Sequence, residues 1–243
     1  YDADLVSIYS PLRLNEMIFS DVIANAYAYA LNVDVLNDSW GFAPQTYDYA
    51  ETAPWAFLDN FHTPLFAAEG AALQRLAEQG RGGLGTVVVQ SAGNSYDFGD
   101  DTNLHNFQNS RYVITVAATD YNGNVTAYSS PGASVLIAAP GGGGDNPLSD
   151  IWTTDRTGSQ GYADDDFTSI TGTSFSAPIV SGVVALMLQA NKGLGYRDVQ
   201  QILAYSAHIT SVDANDWRYN GAGNWNGGGL HYDAEFHDLG FGL

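Results

Sequence analysis

The feature that most constrains this sequence is a long apolar segment that follows a polar turn. Residues 171–178 read Thr-Gly-Thr-Ser-Phe-Ser-Ala-Pro, and residues 179–188 continue as Ile-Val-Ser-Gly-Val-Val-Ala-Leu-Met-Leu. This composition predicts a helix that is apolar nearly all round and lies inside the protein, with Pro178 close to its start. Ser174 would then sit at the helix N-terminus, where unpaired N–H groups suit a nucleophile whose target gains negative charge.

A plainer interpretation of the same residues stays open. Ser and Thr are common at the first positions of helices because their side-chain oxygens accept hydrogen bonds from unpaired backbone N–H groups. Thr173, Ser174 and Ser176 could therefore be cap residues of an ordinary core helix.

The pattern along the rest of the chain predicts an α/β fold: three layers, with a mostly parallel sheet flanked by helices. Apolar residues at helical spacing predict a helix at 16–31, a second from a Thr63 cap to a stop at Gly80, and a third at 196–203. Residues 42–62 read as a rim loop and the tail from Ser211 as loop. No linker divides residues 1–243, so we expect a single domain. Short apolar runs predict strands at 4–9, 33–37, 86–90, 112–118 and 135–138.

Composition excludes several classes of partner. The chain has 27 acidic and 8 basic residues, a formal charge of −19 and no cysteine. Such acidity argues against nucleic acid, which is bound by clustered Lys and Arg. No apolar run reaches the roughly 18 residues of a membrane span. The glycine-rich loop at 80–85 lacks the Lys-Ser/Thr of a phosphate loop. The acidic runs at 97–101 and 164–166 are calcium loops or solvated turns, and their spacing favours turns.

Three short motifs follow one another at predicted strand ends and at the helix start. They are Ser39-Trp40-Gly41, Ser91-Ala92-Gly93-Asn94 and Gly172-Thr173-Ser174-Phe175-Ser176-Ala177-Pro178. In this order they resemble the motifs of the subtilisin-like serine proteases, or subtilases. The resemblance implies that Ser174 attacks a peptide bond of a polypeptide substrate and that Asn94 and the Ser174 N–H bind the oxyanion. It also implies that residues 39–41 pair with the substrate backbone and form one pocket wall, opposite residues 91–93.

From residue 79 onward the chain resembles the kexin and furin branch of that family. Segments such as 79–85, 108–112, 153–155 and 197–200 carry this resemblance. Two positions depart from it: His105 stands where those proteases carry an aspartate that helps recognise arginine, and Ser130 stands where they carry a glutamate. These departures weaken the case for arginine specificity and for a structural calcium ion beneath the pocket, of which Asp100 would keep one ligand. No catalytic cofactor is implied.

In this family the other two catalytic residues precede the oxyanion Asn in Asp-x-Gly and His-Gly-Thr motifs, and residues 1–93 contain neither motif. We interpret the five histidines, His62, His105, His208, His231 and His237, as structural or surface residues. The resemblance therefore implies the C-terminal two-thirds of a catalytic domain, whose missing N-terminal part would carry the aspartate and histidine. We expect this chain alone to be inactive, and the whole protein to be secreted or at the cell surface by analogy with its relatives.

Two other functions are compatible with the sequence. A pseudoprotease would bind peptides with the same fold but lack the base. A structural or adhesion module of a large secreted protein would account for the acidity, but packing alone requires neither Ser174 nor Asn94.

Overall fold

The computed structural model describes residues 3–8, 16–42, 59–64, 66–143, 149–163 and 165–208, and the backbone of three short strands between 217 and 238. Four helices are found in these ranges: α1 (Glu16–Ala30), α2 (Ala67–Gln79), α3 (Thr173–Ala190) and α4 (Tyr196–Ser206). Within the described ranges, α1 and α4 confirm the predicted helices at 16–31 and 196–203, with α4 three residues longer.

A four-stranded parallel sheet forms the middle layer. Its strands are β1 (Val35–Asp38), β2 (Val87–Ser91), β3 (Val113–Thr119) and β4 (Val135–Pro140), in the order β1-β2-β3-β4. All three strand pairs are parallel, and β3 and β4 have a register shift at Thr115/Val116. Strands β2 and β3 are buried on both faces, which explains why their sequences are apolar without alternation.

Helices cover both faces of the sheet, which confirms the predicted three-layer α/β fold. One core lies between the sheet and α3 with α4, and contains Val89, Val116, Val180 and Val184. The other lies between the sheet and α1 with α2, and contains side chains of both helices packed around Phe107. At about 25 cal/mol per Å² of buried apolar surface, these two cores supply the main favourable energy of folding.

The prediction that α3 is apolar and buried all round is correct for one face only. Ala177, Val180, Val184 and Leu188 are buried against the sheet, whereas Ile179, Val183 and Leu186 are 41–45% exposed. The helix has the length and the mean hydropathy, 1.5, of a membrane span. Because its inner face packs on a parallel sheet, a core helix explains the same composition.

Two further predictions of local structure are wrong. Residues 4–8 are not a strand: Leu5 and Val6 are exposed, and among the described residues this segment has no strand beside it to pair with. Helix α2 begins at Ala67, not at Thr63, because Thr63 lies in a preceding turn, where its O accepts from Phe66 N and Ala67 N. Of the predicted rim loop, residues 43–58 lie outside the described residues.

Two small antiparallel sheets were not predicted. Strands β5 (Ile151–Thr154) and β6 (Phe167–Ile170) form a hairpin directly before α3. The tail contains the strands β7 (Trp217–Tyr219), β8 (Leu230–Ala234) and β9 (His237–Asp238), so its prediction as loop is wrong at these positions.

Candidate active site

The turn into α3 depends on a glycine. Gly172 has φ 148° and ψ 154°, in a region that side chains disfavour, and its N–H donates to Gly141 O at 2.8 Å. A Cβ at this position would lie 3.3 Å from Asn94 Nδ2. The glycine therefore lets the Asn94 amide lie directly against the start of the helix.

Thr173, the first residue of α3, holds the Asn94 side chain in one orientation. Asn94 Oδ1 accepts from the Thr173 N–H at 2.9 Å and from Thr173 Oγ1 at 2.8 Å, and Thr173 Oγ1 accepts from Gly93 N at 3.2 Å. With Oδ1 occupied on the helix side, Nδ2 remains as the donor of the amide. The motif predicted no role for Thr173 beyond a cap, although its place between Gly172 and Ser174 was a usable signal.

Ser174 and Ser39 form a reciprocal pair that joins α3 to the end of β1. Ser39 Oγ donates to Ser174 O at 2.8 Å, and Ser174 Oγ donates to Ser39 O at 3.3 Å. Pro178 is the sixth residue of α3 and lies past the first turn of the helix. Because proline has no N–H, the helix leaves Ser174 O without its usual partner four residues on, and Ser39 takes that place.

The segments 39–41 and 91–93 leave neighbouring strands at the same edge of the sheet. Asp38, the last residue of β1, pairs with Gln90 of β2, so both segments begin side by side at carboxyl ends of parallel strands. Gln90 Nε2 also donates to Trp40 O across the gap. Ligands gather at this edge in open parallel sheets.

A buried carboxylate supports the first of these segments. Asp38 accepts from Trp40 Nε1 at 3.1 Å and from Tyr27 Oη at 2.8 Å. Burial raises the pKa of Asp38 to about 6, although both hydrogen bonds act to lower it. Asp38, which fixes the indole of Trp40, lies just outside the Ser39-Trp40-Gly41 motif, and no sequence signal pointed to it.

Beneath Gly93 lies a buried ionic cluster. Ser130 Oγ donates to Asp100 Oδ2 at 2.8 Å, and His105 Nε2 donates to Asp100 Oδ1 at 2.7 Å. His105 Nδ1 is 3.7 Å from Asp59 Oδ1. Burial lowers the pKa of His105, but Asp100 and Asp59 outweigh it and raise that pKa to about 9. His105 is therefore an imidazolium at neutral pH.

The calcium prediction at Asp100 stays a prediction. Both carboxylate oxygens of Asp100 already have protein partners, Ser130 and His105. Among the described residues, His, Cys, Asp and Glu side chains form no group of three or more that could hold a metal ion.

The structure thus brings Ser174, Asn94 and both segments together, but it gives Ser174 no base within the ranges it describes. The hydrogen-bond partner of Ser174 Oγ there is Ser39 O, and no histidine in those ranges bonds to it. His105 is held beneath Gly93 by carboxylates, and His62 is exposed. The side chains of His231 and His237 lie outside the described residues.

Comparison with known proteins gives a consistent result. A family model described as "Subtilase family" matches residues 1–239. Furin-1 of Xenopus laevis is 38% identical over 175 residues, which are 71% of this chain and 21% of that protein. Mouse proprotein convertase subtilisin/kexin type 7 is 36% identical over 173 residues, again 71% of this chain and 21% of that protein. The chain therefore spans about a fifth of the length of these curated relatives.

Solved structures show the same architecture. A serine protease of Aeromonas sobria superposes with a TM-score of 0.65 at 20% identity, over 90% of this chain and 44% of that one. A cold-adapted subtilisin-like serine proteinase superposes with a TM-score of 0.56 at 22% identity, over 92% of this chain and 62% of that one. At these identities the likeness confirms the fold.

Proposed function

Because this chain belongs to the subtilase family, we propose that it supplies the nucleophile and the oxyanion hole of a serine endopeptidase. One observation carries the proposal: Ser174 lies at the start of α3 beside the Asn94 amide, whose Oδ1 is bound by Thr173. The amide nitrogen is thereby left to donate at the place where a peptide carbonyl attacked by Ser174 would develop negative charge.

The reaction follows from these positions. Ser174 Oγ bonds to the carbonyl carbon of the scissile peptide and gives its proton to a histidine base, while Asn94 Nδ2 and the Ser174 N–H stabilise the oxyanion. The carbon–nitrogen bond then breaks and the leaving amine takes the proton. Water hydrolyses the acyl-enzyme by the reverse sequence of proton transfers. Loss of the corresponding oxyanion donor costs about 10² to 10³ in kcat in subtilisin, a member of this family.

The substrate would bind along the two segments at the sheet edge. Residues 39–41 would pair with its backbone as an added strand and form one wall of the primary specificity pocket, and residues 91–93 would form the opposite wall. The support is that both segments begin at paired positions of β1 and β2 and that Ser39 bonds directly to Ser174.

We further propose that the aspartate and histidine come from a segment that precedes Tyr1. Two features of the described residues support this. The outer face of α3 exposes Ile179, Val183 and Leu186, and β1 forms one edge of the parallel sheet. A further helix would cover the apolar face of α3, and a further strand would pair with the free edge of β1. By analogy with furin and the convertases, the whole protein would act in the secretory pathway or at the cell surface.

A pseudoprotease is the second candidate. The observation that favours it is that no histidine among the described residues bonds to Ser174. Such a protein would still bind peptides along residues 39–41, but it would not form an acyl-enzyme.

A fluorophosphonate probe on the full-length protein separates the two functions. We expect rapid labelling that Ser174→Ala abolishes and that Ser176→Ala, on the same helix with a buried hydroxyl, leaves unchanged. The chain of 243 residues should show no measurable turnover, because loss of the histidine alone costs about 10⁶ in kcat in subtilisin. A full-length protein that binds peptides but is not labelled would be a pseudoprotease.

A further inference from the structure

The side chain of Gln108 lies between the two segments at the sheet edge. Its Nε2 is 3.4 Å from Ser91 O, and it would be 3.0 Å from a Cβ added to Gly41. Gln108 is only 4% exposed. A long polar side chain thus occupies the space between residues 41 and 91.

Two contacts fix the backbone at Gln108. Thr115 Oγ1, buried in β3, donates to Gln108 O at 2.7 Å. The preceding residue, Phe107, is 1% exposed and packs edge-on against Trp40 with ring centroids 5.0 Å apart. A backbone fixed at both points gives the side chain little freedom to swing out of the gap.

The ionic cluster lies next to this gap. A Cβ at Gly93 would be 2.7 Å from Ser130 Oγ and 3.3 Å from Asp100 Oδ2, so the cluster packs directly behind the second segment. Both oxygens of Asp100 are engaged within the cluster, by Ser130 and His105, so Asp100 offers no unpaired oxygen to a basic substrate side chain.

We propose that Gln108 closes the base of the primary specificity pocket, so that the enzyme accepts a small residue at the attacked carbonyl. This inference rests on the proposed function, which makes residues 39–41 and 91–93 the walls of that pocket. A buried glutamine between these walls shortens the pocket, which disfavours the long side chains of phenylalanine, lysine and arginine. Alanine, serine or glycine meets this condition.

The test uses peptidyl phosphonates, which bond to an active serine, on the full-length protein. The peptides are identical except for Ala, Phe or Lys at the residue next to the phosphorus. We expect the Ala compound to label Ser174 at least tenfold faster than the other two. Gln108→Gly opens the pocket and should raise the Phe rate relative to the Ala rate by a further tenfold or more, the usual scale for hydrophobic pocket contacts.

Two further variants keep the test independent of folding. Gln108→Met keeps the length of the side chain and should retain the wild-type preference. Gln160→Gly removes an exposed glutamine in another loop and should change neither rate. Thermal unfolding of each variant establishes that it is folded. If Gln108→Gly is not folded, Gln108→Ala takes its place, because it also shortens the side chain and should raise the Phe rate relative to the Ala rate.

The outcomes separate the two proposals. Fastest labelling by the Lys or Phe compound, or an unchanged preference in folded Gln108→Gly, overturns the closed pocket and leaves the protease intact. If a generic fluorophosphonate also fails to label Ser174, the proposed function is wrong and the pocket proposal fails with it.

Discussion

His105 is the residue whose surroundings differ most from those of an ordinary histidine. It lies 6% exposed between two buried carboxylates, and the resulting rise of its pKa to about 9 makes it a permanent cation at neutral pH. A buried charge is tolerated only when it is paired, and Asp100 and Asp59 provide that pairing. His105 thus stands where the resemblance led us to expect an aspartate, and it bonds to Asp100, the residue named in the calcium prediction.

The raised pKa predicts how stability depends on pH. The folded state holds the His105 proton up to about pH 9, whereas the unfolded chain releases it near 6.5. The stabilisation is therefore complete below pH 6.5 and is lost as pH rises to 9. Its size is at most about 3–4 kcal/mol, at about 1.4 kcal/mol per pKa unit.

Urea unfolding at pH 6, 7, 8 and 9 measures this effect. We expect His105→Gln to be less stable than wild type at pH 6 and the difference to shrink towards pH 9. His62→Gln, which removes an exposed histidine, provides the control. A difference that stays constant over this range would mean that His105 is not a cation in the folded protein.

At the scale of the elements, the junction between β1 and α3 depends on one missing backbone hydrogen bond in the helix. Pro178 leaves the carbonyl of Ser174 free, and Ser39 Oγ donates to it. Because Pro178 has no N–H, Ser174 O can accept from Ser39, and this hydrogen bond connects the segment after β1 to the start of α3. Thr173 does the same for the segment after β2, through Asn94 and Gly93.

A double-mutant cycle tests this junction. Ser39→Ala removes the donor to a part-buried carbonyl and should lower the free energy of unfolding by about 1–2 kcal/mol. In a Pro178→Ala background the helix can supply its own N–H, so the same Ser39→Ala change should cost less. Equal costs in both backgrounds, measured by chemical denaturation, would show that Ser39 and Pro178 act independently.

Most of the helices and strands could be predicted from the sequence because the apolar patterns that indicate them are local. The helical spacing at 16–31 and the apolar runs of β2 and β3 depend on residues near one another along the chain, and these elements appear within one or two residues of prediction. The start of α2 was misjudged because Thr63 and Pro64 form a separate turn before the helix. The hairpin β5–β6 was missed because half of its strand residues are Thr or Ser, so no apolar run marks either strand.

At the scale of the whole molecule, the described residues leave one apolar helix face open. Val183 is 44% exposed on the side of α3 that faces away from the sheet, beside Ile179 and Leu186. If a preceding segment covers this face, as we propose, Val183 is buried in the full-length protein.

A charged substitution tests whether the outer face of α3 is covered in the full-length protein. In the full-length protein Val183→Asp should cost at least about 2 kcal/mol, because a carboxylate would be placed in an apolar interface. Tyr121→Asp, at a turn residue that is 66% exposed, should change the free energy of unfolding by about 0.5 kcal/mol or less. If thermal and urea unfolding show both changes to be equally mild, the outer face of α3 is not covered.

The sequence by itself determined the α/β fold, its family and the motifs that carry Ser174 and Asn94. These follow from short-range patterns and from residue types that turns and helix starts demand. Only the tertiary structure decided the contacts between distant segments: Thr173 with Asn94, Ser39 with Ser174, Gln108 between residues 41 and 91, and His105 between Asp59 and Asp100. The physical reason is that such contacts depend on the register of strands and the packing of loops, which bring together residues 5 to 135 positions apart.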